Sequence, residues 1–283
     1  DTVKPNQAYT NDPFEAIVKD GKLFGLGSND AGGCLVSLLA TFTYFYDNEN
    51  LPYNIVIVAS AEEESSGKNG LNSVLKHLPK LDCAIVGEPT LMQLAVAEKG
   101  LLVLDVKVKG TPSHAAHQNN DSAIYKTLPI IEWFKNFTYD KISEQLGPVK
   151  MTVTQINAGS QHNVVPSECN LVVDIRVNDC YTNEEILKIV KENIVAEITP
   201  RSMHLNASSI PVSHALVQAG IALGRTTYGS PTLSDQSVLS CKSLKLGPGE
   251  TLRSHSADEF IYLHEIEEGI DLYIKILTDF FKL

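Results

Sequence analysis

A chain of 283 residues can hold one large α/β domain or two domains with separate cores. With 43% hydrophobic and 20% charged residues it has an ordinary globular composition, which excludes disordered, collagen-like and coiled-coil classes, and no apolar run reaches the roughly 20 residues that span a bilayer. The formal charge of −11 repels polyanions, and no basic stripe interleaved with aromatics offsets it, so nucleic acid is excluded as a partner.

The segment opens on Asp1-Thr2-Val3-Lys4-Pro5, with no initiator Met, charged leader or apolar signal core. It is expected to be a fragment or processed product, with part of the native fold upstream. Residues 32 to 46, GGCLVSLLATFTYFY, are apolar enough for a buried helix that begins tight against the preceding loop at its glycine pair. The Val/Ile-rich run NIVIVAS, residues 54 to 60, predicts a central parallel strand with Glu62-Glu63-Glu64 at its carboxyl end. Cys83 to Val86 predicts another, ending at Gly87-Glu88-Pro89. Acidic residues thus fall where open α/β sheets place their ligands.

From about residue 97 the texture changes. LLVLDVKVKG alternates apolar and polar residues, the mark of a strand with one solvated face. A helix is expected from Ala123 to Phe134, then alternating strands in VKMTVTQINAG and CNLVVDIRVN, then a helix from Asn183 to about Ala196 capped by Thr182. With a last strand near Met203 to Leu205, the order β-α-β-β-α-β predicts a ferredoxin-like insert. Beyond Ile210 helices and loops return, and Ile266, Ile270, Tyr273, Ile274 and Leu277 carry helical spacing to the end. The fold class is therefore α/β: a split domain, residues 1–97 and 209–283, with a mainly parallel central sheet and helices on both faces, around an inserted ferredoxin-like α+β domain of residues 98–208.

Five cysteines, Cys34, Cys83, Cys169, Cys180 and Cys241, are odd in number, widely spaced and free of any CxxC, which suits buried thiols in a reducing, cytoplasmic setting. Taken singly, the chemical candidates have plain explanations. Asp30 can cap the following helix, the triple glutamate can be a solvated loop, Glu88 before Pro89 can be turn chemistry, and His255 can be a surface imidazole. Carboxylates with a histidine are also the ligands that a divalent cation takes, and all of these residues sit at element ends.

In combination and order, DTV, GLGSNDAGG, SAEEESSG, VGEPT, GTPSHAA, NVVP followed by DIR, and HSADEF resemble the M20 metallopeptidase and deacylase family across nearly the whole chain. The branch that they resemble most is the acetylornithine deacetylases, followed by the succinyl-diaminopimelate desuccinylases.

The resemblance implies a zinc-dependent hydrolase of linear amides with two divalent ions, zinc or else cobalt or manganese. It assigns Asp30 as the bridging ligand, Glu64 and His255 as ligands to one ion, Glu88 as ligand to the other and Glu63 as general base. Asp1 matches the Asp of an H-x-D pattern whose His falls two residues upstream, so one metal site is expected to be impaired in this piece. The insert is implied to serve as lid and dimerisation domain. From it, His114 would stabilise the oxyanion in a neighbouring subunit of a homodimer. Arg176, or else a surface ion pair in its place, would anchor the substrate carboxylate beside Asn163, with Ser234 in a pocket-lining loop. The implied substrate is a small N-acyl amino acid. N-acetylornithine, deacetylated in arginine biosynthesis, is the first expectation; N-succinylornithine, N-succinyl-diaminopimelate, a dipeptide or a non-catalytic metal-binding relative are the alternatives. A dinucleotide-binding oxidoreductase is disfavoured, because Asp30 stands where GxGxxG needs its third glycine and would face a pyrophosphate with like charge.

Overall fold

The computed structural model describes residues 1–65 and 67–282, which divide into two compact units. One comprises Asp1–Ala97, Ser209–Gly229 and Ser234–Leu283; the other comprises Glu98–Ser208 with Ser230–Leu233.

In the second unit the alternation of side chains builds a four-stranded antiparallel sheet. Gly100–Lys109 and Glu168–Val177 pair along their full length, Gly100 opposite Val177 and Lys109 opposite Glu168. Every second residue of each strand, Leu102, Leu104, Val106 and Val108 against Leu171, Val173, Ile175 and Val177, enters one core with Ile130, Phe134, Ile186 and Val190. The spatial order is Glu197–Pro200, Gly100–Lys109, Glu168–Val177, Lys150–Ala158, which is the ferredoxin-like order. Helices Ala123–Asn136 and Asn183–Asn193 cross between strands. Thr182 caps the latter in a reciprocal box, its hydroxyl accepting from the Glu185 N–H while the Glu185 carboxylate accepts from the Thr182 N–H. The closing strand lies at Glu197–Pro200 rather than at Met203 to Leu205, because the helix stops at Asn193, where Ile194 turns extended.

The first unit is less regular than its sequence suggests. Its main sheet places Lys242–Lys245 between Cys83–Val86, to which it is parallel, and Leu94–Glu98, to which it is antiparallel. The sheet is therefore mixed rather than mainly parallel in this part. NIVIVAS forms no strand: a β-rich composition makes a strand only with a ladder partner, and none is present among the described residues. Helix Gly33–Phe45 is present, but the face it buries carries Cys34, Ser37, Thr41 and Phe45, while Leu35, Val36, Leu39 and Tyr44 are exposed. Helix Leu263–Phe281 packs on the sheet through Tyr273 and Ile276, and the Tyr273 hydroxyl donates to the Leu246 carbonyl. A small antiparallel sheet, Ile17–Lys19, Lys22–Phe24 and Phe260–Tyr262, was not foreseen from the sequence. Among the described residues no helix is long and apolar enough to cross a membrane.

Candidate metal centre

The small sheet builds the site. Its register sets Phe260 opposite Phe24 and Tyr262 opposite Lys22, so the chain leaving Phe24 runs beside the chain approaching Phe260. These two segments are the loops that carry Asp30 and His255. Asn29, fully buried, laces them together: its side-chain amide donates to the Glu250 carbonyl at 3.0 Å, and its oxygen accepts from the Glu250 N–H at 3.0 Å. Gly249 sits at a φ of +83°, and a Cβ there would lie 2.5 Å from that oxygen, so only glycine fits.

The outcome is a meeting of three side chains from distant parts of the sequence. The His255 Nε2 lies 3.6 Å from a carboxylate oxygen of Asp30 and 3.1 Å and 3.2 Å from the two oxygens of Glu64. His255 holds a left-handed backbone, φ 59°, sparsely populated for a side-chain-bearing residue and typical of ligand positions under tertiary constraint.

One ligand atom from each of Asp30, Glu64 and His255 falls within 4.8 Å of the others. Tetrahedral coordination at bond lengths of about 2.0–2.1 Å separates ligand atoms by about 3.3 Å, close to the 3.1–3.6 Å from the His255 Nε2 to the two carboxylates. Two carboxylates and one imidazole are a donor set that zinc, cobalt or manganese accepts. Charge points the same way. Burial raises the Glu64 carboxyl and the neighbouring Asp30 raises it further, while His255 lowers it, so the pair of acids calls for a cation. The imidazole is half-exposed, which leaves the group open on one side.

Glu63 stands beside this group. Burial, then the charges of Glu64, Asp235 and Asp30, push its carboxyl up to about 7, against a pull downward from Lys245. A carboxylate poised near neutrality is suited to taking and returning a proton. Asp1 accepts the Glu63 backbone N–H at 3.0 Å, and so supports the turn that carries both glutamates.

The other sequence candidates are placed as follows. Glu88 follows strand Cys83–Val86 and is not one of the three clustered ligands; burial raises the Cys34 thiol and the Tyr228 and Tyr273 phenols, and the Glu88 charge adds to each. Ser234 is buried and caps the turn Asp235–Val238 by accepting the Gln236 N–H. In the second unit, Arg176 holds Asp174 with both arms of its guanidinium, at 2.9 Å and 3.1 Å. His114 lies in one short ladder there and Asn163 beside it: Ser113–His114 pairs with Val164–Val165, and the Asn163 carbonyl accepts the Ala115 N–H. The His114 Nδ1 accepts the Ala116 N–H, so in the neutral ring the proton is on Nε2, which is left as a donor.

Asp235, in the same pocket-lining loop of the sequence reading as Ser234, bonds the Ser60 hydroxyl and adds charge at Glu63. Two further residues were not singled out from the sequence as functional. Lys245, buried on a strand, opposes that charge at Glu63. Glu259 is the second. An acidic residue followed by Phe within HSADEF was the only signal for it.

The raised carboxyl of Glu63 makes stability depend on pH. Its folded value is about 7 against 4.5 for the free group, so between these values the folded chain holds a proton that the unfolded chain releases. In metal-free protein the Glu63 contribution is therefore greatest at the acid end of that window and falls by on the order of 2 kcal/mol by about pH 7.5. Denaturant titrations of wild type and Glu63→Gln at about pH 5 and 7.5 measure it: the substitution should shrink the wild-type loss by that amount.

The model of peptidase family M20/M25/M40 matches residues 1–279. Among curated proteins, the chain is 26% identical over 306 residues to a succinyl-diaminopimelate desuccinylase of Helicobacter pylori (strain HPAG1), covering 99% of this chain and 78% of that protein. It is 23% identical over 305 residues to the enzyme of the same name from Acidiphilium cryptum (strain JF-5), covering 100% and 81%. Among solved structures, the M20 family metallo-carboxypeptidase Sso-CP2 of Sulfolobus solfataricus superposes with a TM-score of 0.77 at 14% identity, over 100% of this chain and 84% of that one. A tripeptidase of Staphylococcus aureus gives 0.74 at 19% identity, over 95% and 77%.

Proposed function

The chain belongs to peptidase family M20/M25/M40, whose members are metal-dependent hydrolases, and on that premise we propose that it cleaves the amide of an N-acyl amino acid, with N-succinyl-diaminopimelate as the leading substrate. The observation that carries the hydrolytic reading is the convergence of Asp30, Glu64 and His255 with Glu63 set beside them. The acyl group is weighed on the relatives. The Helicobacter pylori and Acidiphilium cryptum relatives are named succinyl-diaminopimelate desuccinylases, which moves the succinyl substrate ahead of the N-acetylornithine favoured by the motifs alone, and lysine biosynthesis ahead of arginine biosynthesis.

Asp30, Glu64 and His255 would hold a divalent cation, which would supply Lewis acidity to activate water near neutral pH and to polarise the acyl oxygen. We assign Asp30 and Glu88 to a second ion, in line with the family resemblance. Glu63 takes the proton from the attacking water and delivers it to the amine nitrogen as the amide C–N bond breaks, so the proton gained in one half of the reaction leaves in the other. The Nε2–H of His114, reaching a neighbouring copy in a dimer formed through the second unit, donates to the developing oxyanion. Free thiols at all five cysteines suit the reducing interior of a cell.

The test is a comparison of kcat/KM for N-succinyl-diaminopimelate and N-acetylornithine with zinc or cobalt supplied. A preference for the succinyl compound supports the reading, a preference for the acetyl compound reverses the substrate assignment, and no turnover of any N-acyl amino acid or dipeptide refutes it. Arg176 is assigned to the substrate carboxylate, for which its planar fork is suited once Asp174 shares or yields it. Arg176→Ala is expected to raise KM by about ten- to a hundredfold with kcat little changed. An unaltered KM removes Arg176 from the binding site.

A further inference from the structure

Glu259 is a buried acid, only 1% exposed, on a segment that also carries a ligand of the candidate metal centre, four residues after His255. A buried carboxylate is costly unless hydrogen bonds replace the water it loses. Here they come from one place. One oxygen of Glu259 accepts the backbone N–H of Gly27 at 2.9 Å; the other accepts those of Asn29 at 2.9 Å and Asp30 at 2.8 Å. Its own carbonyl accepts the Gly25 N–H at 3.1 Å, continuing the register that pairs Phe260 with Phe24. The turn from Gly25 to Asp30 is thus wrapped on one residue, its amides at 27, 29 and 30 on the carboxylate and that of Gly25 on the backbone carbonyl.

Local structure offers no substitute. The turn bends through a left-handed Gly27, and its amides at 27, 29 and 30 all point to the same carboxylate. A neutral side chain would leave at least one of those donors buried without an acceptor. Because the third donor is the amide of Asp30 itself, the bond fixes the backbone from which the Asp30 carboxylate projects toward His255.

We propose that Glu259 is a positioning residue of the metal centre: by gripping the backbone of the Asp30 turn from the segment that bears His255, it sets the spacing of two ligands and so the affinity for a divalent cation. The proposal rests on the metal reading of Asp30, Glu64 and His255. Partners that orient ligands from outside the coordination sphere change metal affinity by about 10- to 100-fold when removed.

The experiment is calorimetric titration of zinc chloride into metal-stripped wild-type, Glu259→Gln and Asp30→Asn proteins, with the unfolding midpoint of each metal-free protein recorded alongside. Glu259→Gln should bind zinc at least about tenfold more weakly than the wild type. If its zinc affinity is unchanged, whatever its unfolding midpoint does, while Asp30→Asn loses binding, Glu259 only supports the fold and the proposal is overturned with the metal site intact. If Asp30→Asn also binds zinc as the wild type does, the metal reading fails instead. Should Glu259→Gln not fold, hydrogen exchange on the wild type decides: the amides of Gly27, Asn29 and Asp30 are expected to exchange slowly, and exchange at the rate of exposed loops overturns the proposal.

Discussion

Replacing Glu63 with glutamine lowers turnover of an N-acyl amino acid by about a hundred- to ten-thousandfold and leaves the zinc content of the protein unchanged. The two neighbouring glutamates differ in what they face. Glu64 has both oxygens within 3.2 Å of the His255 ring nitrogen and belongs to the ligand group. Glu63 is not among those three ligands and carries a proton affinity raised to about 7. Glutamine keeps the shape and a hydrogen-bonding oxygen but cannot accept and release a proton, so the loss falls on kcat. Metal analysis by atomic absorption beside steady-state kinetics separates the roles, and equal metal loss in Glu63→Gln and Glu64→Ala overturns the division.

The complementary substitution, Glu64→Ala, removes metal and activity together. With one of three clustered ligand groups gone, Asp30 and His255 alone hold the cation, and the affinity should fall by more than the roughly 10- to 100-fold that outer partners contribute. His255→Ala should do the same. Zinc titration gives the affinity directly, and activity that returns on raising the zinc concentration marks a binding defect, whereas activity that stays absent in fully loaded protein assigns Glu64 a further part in the chemistry.

Much of the architecture was legible where a local pattern carries tertiary meaning. Alternation in LLVLDVKVKG and CNLVVDIRVN reports one solvated face, and those strands pair with their apolar residues inward over ten residues each. The ligand set was legible only as ordered motifs, since neither Asp30 nor His255 has a local property that distinguishes it from a cap or a surface imidazole. NIVIVAS shows the limit of propensity: composition states that a run favours a ladder, not whether a neighbour offers one. Helix Gly33–Phe45 shows a second limit. Ser37 and Thr41 can be buried because their hydroxyls donate to the carbonyls of Gly33 and Ser37 one turn back, so the packed face is not the most apolar face. Glu259 was hidden for a third reason, because its partners lie about 230 residues away and are backbone groups, which no side-chain pattern announces.

The split of the first unit also dictates an order of events during synthesis. Strand Cys83–Val86 must wait for Lys242–Lys245, made 159 residues later, before it gains its parallel neighbour, and Asp30 must wait still longer for His255. The intervening stretch from 98 to 208, by contrast, already contains all four strands and both helices of its own sheet when it leaves the ribosome. The slow, non-local closure is thereby left to the segments on either side of that stretch, whose apolar strands stay open to chaperones, or to one another's copies, until helix Leu263–Phe281 has emerged.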